Sequence, residues 1–174
     1  MFKVILGVLF FTIISLVMFV NLDPNISQSL TASSLVSGYA SITLTGEVIK
    51  PGTYLMDENT PLSSALGLAG GTTMNADELA YSSTLILQPG MAIYIAPKYD
   101  PSDVCQKEPI AKIGLNSATS QELTQLSNVG QSLAEAILQY RQQEGSFTYL
   151  EEIMNVSGIG NATFVRIRNY ITLM

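Results

Sequence analysis

The sequence predicts an α+β protein in three parts: an N-terminal transmembrane helix, a small β-rich domain and an all-α C-terminal domain. Three observations carry that expectation. Residues 4–20 form an apolar run without a charge. Short alternating segments, punctuated by Pro-Gly and Gly-Gly pairs, fill residues 39–98. Residues 112–174 resemble themselves when displaced by thirty positions.

The apolar run accounts for an uneven composition. Hydrophobic residues make up 47% of the chain and charged residues only 13%, and the excess is concentrated near the N-terminus. Val4 to Val20, interrupted only by Gly7, Thr12 and Ser15, spans roughly 26 Å as a helix, near the lower limit for crossing a bilayer. The alternative is a cleaved signal peptide, whose apolar core is usually about 7–15 residues and ends at a small-x-small site. Here Asn21-Leu22-Asp23-Pro24 follows instead. Residues 1–22 are therefore read as an uncleaved anchor. Lys3 precedes the run and Asp23 is the first charge after it, so the positive-inside tendency puts the remaining chain on the extracellular face of the cell membrane. The Ser-rich residues 23–38 read as a spacer.

In residues 39–98, Ser41-Ile42-Thr43-Leu44-Thr45 alternates as a half-buried strand does. Pro51-Gly52 suits a tight turn, and Thr53-Tyr54-Leu55 resumes the extended pattern. Thr60-Pro61 reads as an N-cap followed by proline at the first helical position. Leu62, Ala65, Leu66 and Ala69 share a helical face, and Gly70-Gly71 stops the helix. A second strand pair is expected around Pro89-Gly90, with Leu85 and Leu87 before it and Met91, Ile93 and Ile95 after. Hairpin, helix and further strands fit a β-grasp arrangement. The carboxylate pairs Asp57-Glu58 and Asp77-Glu78 fall in polar, solvated stretches. Residues 99–111, with Pro101 and Pro109, read as a linker. It holds Cys105, read as an unpaired thiol, with an intermolecular disulfide as the alternative.

The repeat in residues 112–174 is the most informative feature. At the offset of thirty, Glu122 meets Glu152, Leu126 meets Val156, Val129 meets Ile159, Gly130 meets Gly160 and Ile137 meets Ile167. Each unit reads as helix, tight turn, helix. Thr119-x-x-Glu122 and Thr148-x-x-Glu151 have the capping-box pattern, and Gly145 is the expected stop of the intervening helix. Four short amphipathic helices of this kind make a small bundle. Val156-Ser157-Gly158-Ile159-Gly160 has the spacing of a helix-hairpin-helix turn. Its glycines permit a sharp turn and leave nothing bulky over the backbone. The turn ends at a helix N-terminus, where free N–H groups and the dipole favour an anion such as phosphate. An array of backbone donors carries no base information.

Charge pulls the other way. The formal net charge is −6, and residues 112–174 carry Lys112, Arg141, Arg166 and Arg168 against five glutamates. Duplex binders usually carry an excess of Lys and Arg. With no His and a single Cys, the sequence excludes most zinc sites, Cys/His nucleophile pairs and any intramolecular disulfide. No catalytic residue, metal or cofactor is expected, and the chain is not read as an enzyme.

Two resemblances follow from these residues. Gly46-Glu47-Val48, Pro51-Gly52-Thr53-Tyr54, Ala69-Gly70-Gly71, Leu87-Gln88-Pro89-Gly90 and Ile93-Tyr94-Ile95 resemble the SLBB domain, a soluble-ligand-binding β-grasp. With Leu115-Asn116-Ser117-Ala118-Thr119-Ser120-Gln121-Glu122-Leu123, Ile137-Leu138-Gln139-Tyr140-Arg141 and the turn at Gly158, the whole resembles the ComEA family of competence DNA receptors. That resemblance implies binding of double-stranded DNA at the outer membrane face and its delivery to a DNA-uptake channel protein in natural transformation. The SLBB resemblance implies self-association, a homo-oligomer through the β-grasp part. By position, the phosphate-binding turns are Asn128-Val129-Gly130-Gln131 and Gly158-Ile159-Gly160-Asn161, with Arg166 and Arg168 reaching neighbouring phosphates. Two departures stand out: Asn128 replaces a glycine, and Asn161-Ala162 stands where the family usually has a lysine. The competing reading is a non-enzymatic envelope scaffold, in which the β-grasp part self-associates and the helical part binds protein.

Overall fold

A computed structural model describes residues 38–103 and 108–174. The expected anchor, nearly all of the spacer, and Cys105 lie outside the described residues. Among the described residues no helix is long and apolar enough to cross a membrane.

Residues 38–174 form one compact unit. Strand β1 (Tyr39–Gly46) buries Ala40, Ile42 and Leu44 and turns the residues between them outward. It pairs antiparallel with β2 (Gly52–Asp57) and parallel with β3 (Ala92–Ile95), giving the order β2-β1-β3. Helix α1 (Leu62–Leu68) buries Leu62, Ala65 and Leu66, and Gly70 and Gly71 follow it with positive φ. Hairpin, helix and a third strand parallel to the first is the core of a β-grasp, as the sequence predicts.

Two expectations here are corrected. Thr60 does not cap α1: Pro61 holds the cap position with extended backbone, and the Thr60 hydroxyl donates instead to the Asp57 carbonyl. A side-chain cap is unnecessary because the loop at 83–85 supplies acceptors, Leu85 O for Leu62 N–H at 2.8 Å and Ser83 O for Ser63 N–H at 2.9 Å. That same use removes Leu85 and Leu87 from the expected second strand pair. Their segment makes a lone bridge, Pro61 with Ile86, and Leu87 N–H donates to Thr60 O. Only Ala92–Ile95 of the expected pair is a strand.

The helical part opens with β4 (Ile113–Gly114), then α2 (Ser120–Leu123), α3 (Gln131–Glu144), a 3₁₀ helix (Leu150–Asn155), α4 (Asn161–Ile167) and β5 (Ile171–Thr172). The Thr119–Glu122 capping box forms, with Thr119 N–H donating to Glu122 at 2.7 Å. In the second unit the expected Glu151 is replaced by Glu152, which accepts from Thr148 N–H at 2.7 Å. Glu151 is turned into the interior instead, only 9% exposed. The third helix is also 3₁₀ rather than α. Strands β4 and β5 run parallel and close the repeat end to end, and a Cβ on Gly114 would collide with the Met174 carbonyl. Gly145 ends α3 with φ 99°, as expected.

The β-rich and helical parts share buried residues. Ala80, Tyr94 and Ala96 belong to the core of the helical bundle, and Tyr149 packs on the core of the sheet. The Lys112 ammonium pairs with Asp77 at 2.6 Å, both largely buried, and Leu173 N–H donates to Leu79 O. The expected linker is itself tied down near its end, where Ile110 N–H donates to Lys98 O at 2.9 Å.

Candidate nucleic-acid interface

The two hairpin turns share the same backbone features at equivalent positions, thirty residues apart. In the first, Val129 N–H donates to Leu126 O at 3.1 Å; in the second, Ile159 N–H donates to Val156 O at 3.0 Å. The apolar residues Val129 and Ile159 point inward and are each 3% exposed, which pins both hairpins to the core. Before them, Asn128 has φ 64° and Gly158 has φ 90°, so both turns pass through the left-handed region. Asn128 does what a glycine does there because its short polar side chain tolerates that conformation. Gly158 has a second reason to be glycine: a Cβ would stand 2.7 Å from Leu133 Cδ2, the third residue of α3. The second turn is thus packed against the helix that leaves the first.

Gly130 and Gly160 behave differently. They hold the cap positions of α3 and α4 with extended φ values of −82° and −99°, which any residue adopts, and open space surrounds the place of a Cβ. Neither steric reason requires glycine. A Ser, Thr or Asp at a cap would stabilise the helix by bonding its first N–H groups. Glycine at both positions leaves the backbone of each turn bare, facing outward.

The expected flanking groups are sorted by the fold. Gln131 is exposed and its amide donates to Glu135 Oε1 and to Ser120 Oγ. Asn161 is exposed at the start of α4. Arg166 is exposed, and no hydrogen bond or ion pair engages it among the described residues. Arg168 is committed elsewhere. Its guanidinium lies 4.1 Å from the Tyr94 ring centroid, and the Tyr94 hydroxyl donates to Asn169 Oδ1 at 2.6 Å. Arg141 donates to the Leu115 and Ala118 carbonyls, and burial pushes the Lys112 ammonium below its ordinary pKa despite Asp77. Of the four cations, Arg166 alone is uncommitted among the described residues.

Glu151 lies within the electrostatic reach of Arg168. Desolvation raises its carboxyl to about 7, against the opposing help of the Tyr94 backbone N–H and the nearby Arg168. Its Oε2 is buried with no hydrogen-bond partner among the described residues. Sequence reasoning missed this cluster because it joins residues more than fifty positions apart. The Arg-Tyr contact carries no local signal.

A β-grasp unit followed by a duplicated helix-hairpin-helix defines the class. Residues 41–80 match the SLBB domain and residues 108–172 match the helix-hairpin-helix motif family. The chain is 38% identical over 141 residues to ComE operon protein 1 of Bacillus subtilis (strain 168), covering 76% of this chain and 69% of that protein. It is 41% identical over 61 residues to an uncharacterized protein of Haemophilus influenzae, covering 34% of this chain and 54% of that one. It is also 31% identical over 83 residues to endonuclease/exonuclease/phosphatase family domain-containing protein 1 of Xenopus laevis, 40% of this chain but only 15% of that protein. The chain belongs to the ComEA family, DNA-binding proteins of competence.

Proposed function

We propose that this protein is a membrane-anchored, non-enzymatic receptor that holds double-stranded DNA by its phosphate backbone, without reading sequence, during natural transformation. One observation carries the reading: two turns of the same geometry, Asn128-Val129-Gly130-Gln131 and Gly158-Ile159-Gly160-Asn161, each present a bare backbone at an outward-facing helix cap. Backbone donors and a cap-position glycine suit a phosphate, and two such turns related by the repeat suit two strands across a groove. Arg166 adds a point charge beside them. With net charge −6 and Arg168 engaged by Tyr94, long-range attraction is weak. Affinity then depends on many copies presented on one surface.

The same reading places residues 1–22 in the cell membrane, the remaining chain outside it, and a DNA-uptake channel protein as the recipient. Self-association through the β-rich part belongs to it too. Strand β2 is a sheet edge, and its Leu55 is 74% exposed. The test is binding of the full-length chain to two unrelated duplexes of equal length over a salt series. Equal affinities that fall together as salt rises support the reading. Absence of binding at low salt overturns it and favours a protein-binding scaffold.

A further inference from the structure

The repeat builds a pair of grooves as well as a pair of turns. One is lined by Gln125, Leu126 and Ser127, which enter the first turn, and by Arg166 and Tyr170, which leave the second. The other is lined by Asn155, Val156 and Ser157, and by Ala136 and Tyr140. Every residue in the first set meets its counterpart in the second at the offset of thirty. Each groove therefore runs between the approach to one hairpin and the helix departing from the other.

The two have diverged. The second groove measures about 350 Å³, holds Ala136 where the first has Arg166, and is flanked by the Glu144 carboxylate. Its tyrosine is occupied: Tyr140 stacks on Phe147 with centroids 5.1 Å apart and donates to Glu152. The first groove measures about 680 Å³, within the range of roughly 300–1,000 Å³ that holds a small ligand. Among the described residues no carboxylate lines it. Lys112 lines it too, but that ammonium is spent on Asp77. Arg166 is uncommitted, and Tyr170 is 47% exposed with no ring partner among the described residues.

We propose that the first groove takes an unpaired nucleotide of DNA held by the adjacent turns, with Arg166 against its phosphate and Tyr170 against its base. The proposal rests on the backbone-binding reading above. A free guanidinium beside an open aromatic face, on walls that mix the apolar Ile113 and Leu126 with the polar Gln125 and Ser127, suits a nucleotide, since every base has a π-face to stack and every linkage a phosphate. The groove begins at Ser127, next to the turn at Asn128, so a strand frayed or extended past the duplex reaches it directly. Such a site favours duplex ends and single-stranded extensions over continuous duplex.

The experiment uses the full-length chain with a blunt duplex and with the same duplex carrying a short single-stranded extension. The extended duplex is expected to bind roughly fivefold more tightly or better. Tyr170→Ala should abolish that preference while retaining blunt-duplex binding, and Tyr170→Phe, which keeps the ring, should restore it. A thermal melt of each variant checks the fold. Equal binding of both duplexes by the native chain, or a preference that survives in folded Tyr170→Ala, overturns the proposal alone. Failure to bind either duplex removes the backbone-binding reading and the proposal with it.

Discussion

Asn128 and Gly158 stand thirty residues apart and hold the same turn, with φ of 64° and 90°. A side chain beyond the tolerance of Asn is strained in that region by about 1–2 kcal/mol. Asn128→Ala should therefore lower stability by roughly 1 kcal/mol, and Asn128→Gly should be close to neutral. Gly158→Ala should cost more, about 2 kcal/mol, because Leu133 must also give way. Urea unfolding of the three variants checks the order. An Asn128→Ala protein as stable as the native one would mean that the first turn does not need the left-handed residue.

Arg166 and Arg168 sit two positions apart and should behave as different kinds of residue. Arg166→Ala removes an exposed, uncommitted charge, so stability should change by no more than about 0.5 kcal/mol. Its DNA affinity should fall, with the log–log salt slope shallower by about one unit. Arg168→Ala removes the cation over Tyr94 and should destabilise by roughly 1–2 kcal/mol. Its salt slope should stay nearly native. Parallel chemical denaturation and salt-titrated binding separate the two, and a shared phenotype would contradict the division.

The Glu151 carboxyl titrates at about 7 in the folded chain against an ordinary value of 4.5. An acid whose folded pKa is raised binds its proton more tightly in the native state. Stability should then decline as pH rises from about 4.5 through 7, and level off above, by an amount on the order of 2–3 kcal/mol. Glu151→Gln stays neutral throughout and should lose that portion of the decline. Unfolding free energies of both proteins at pH 5 and pH 8 provide the check. Equal pH slopes would show that Glu151 is ionised and accommodated at both.

Much of this architecture is read from local patterns, and the misses share one physical cause. The duplicated turn, the Thr119–Glu122 box, the buried face of α1 and the alternation of β1 depend on neighbours within a few residues. Their signals therefore lie in contiguous sequence. The Thr60 cap fails because the N–H groups of Leu62 and Ser63 find carbonyls twenty or more residues away, at 85 and 83. Glu151 looks like a capping residue by its spacing from Thr148, yet the fold buries it and hands the cap to Glu152. The offset of thirty already pairs Glu152 with Glu122, so the repeat was the better guide. Arg168 resembles Arg166 in the chain, and only the packing of Tyr94 against the helical part tells them apart. Pairing of β4 with β5 joins the ends of the repeat and has no local signature at all.

The central claim is that bare backbone at the two outward caps grips the phosphates, and a double substitution tests it. Gly130 and Gly160 have ordinary φ and free space for a Cβ, so Gly130→Asp with Gly160→Asp should fold with native or slightly raised thermal stability, each Asp serving as a cap. Each carboxylate would then occupy the place of a phosphate. The account predicts that the folded double variant loses at least about tenfold in duplex affinity at low salt. A folded double variant that binds duplex DNA as tightly as the native chain would contradict it.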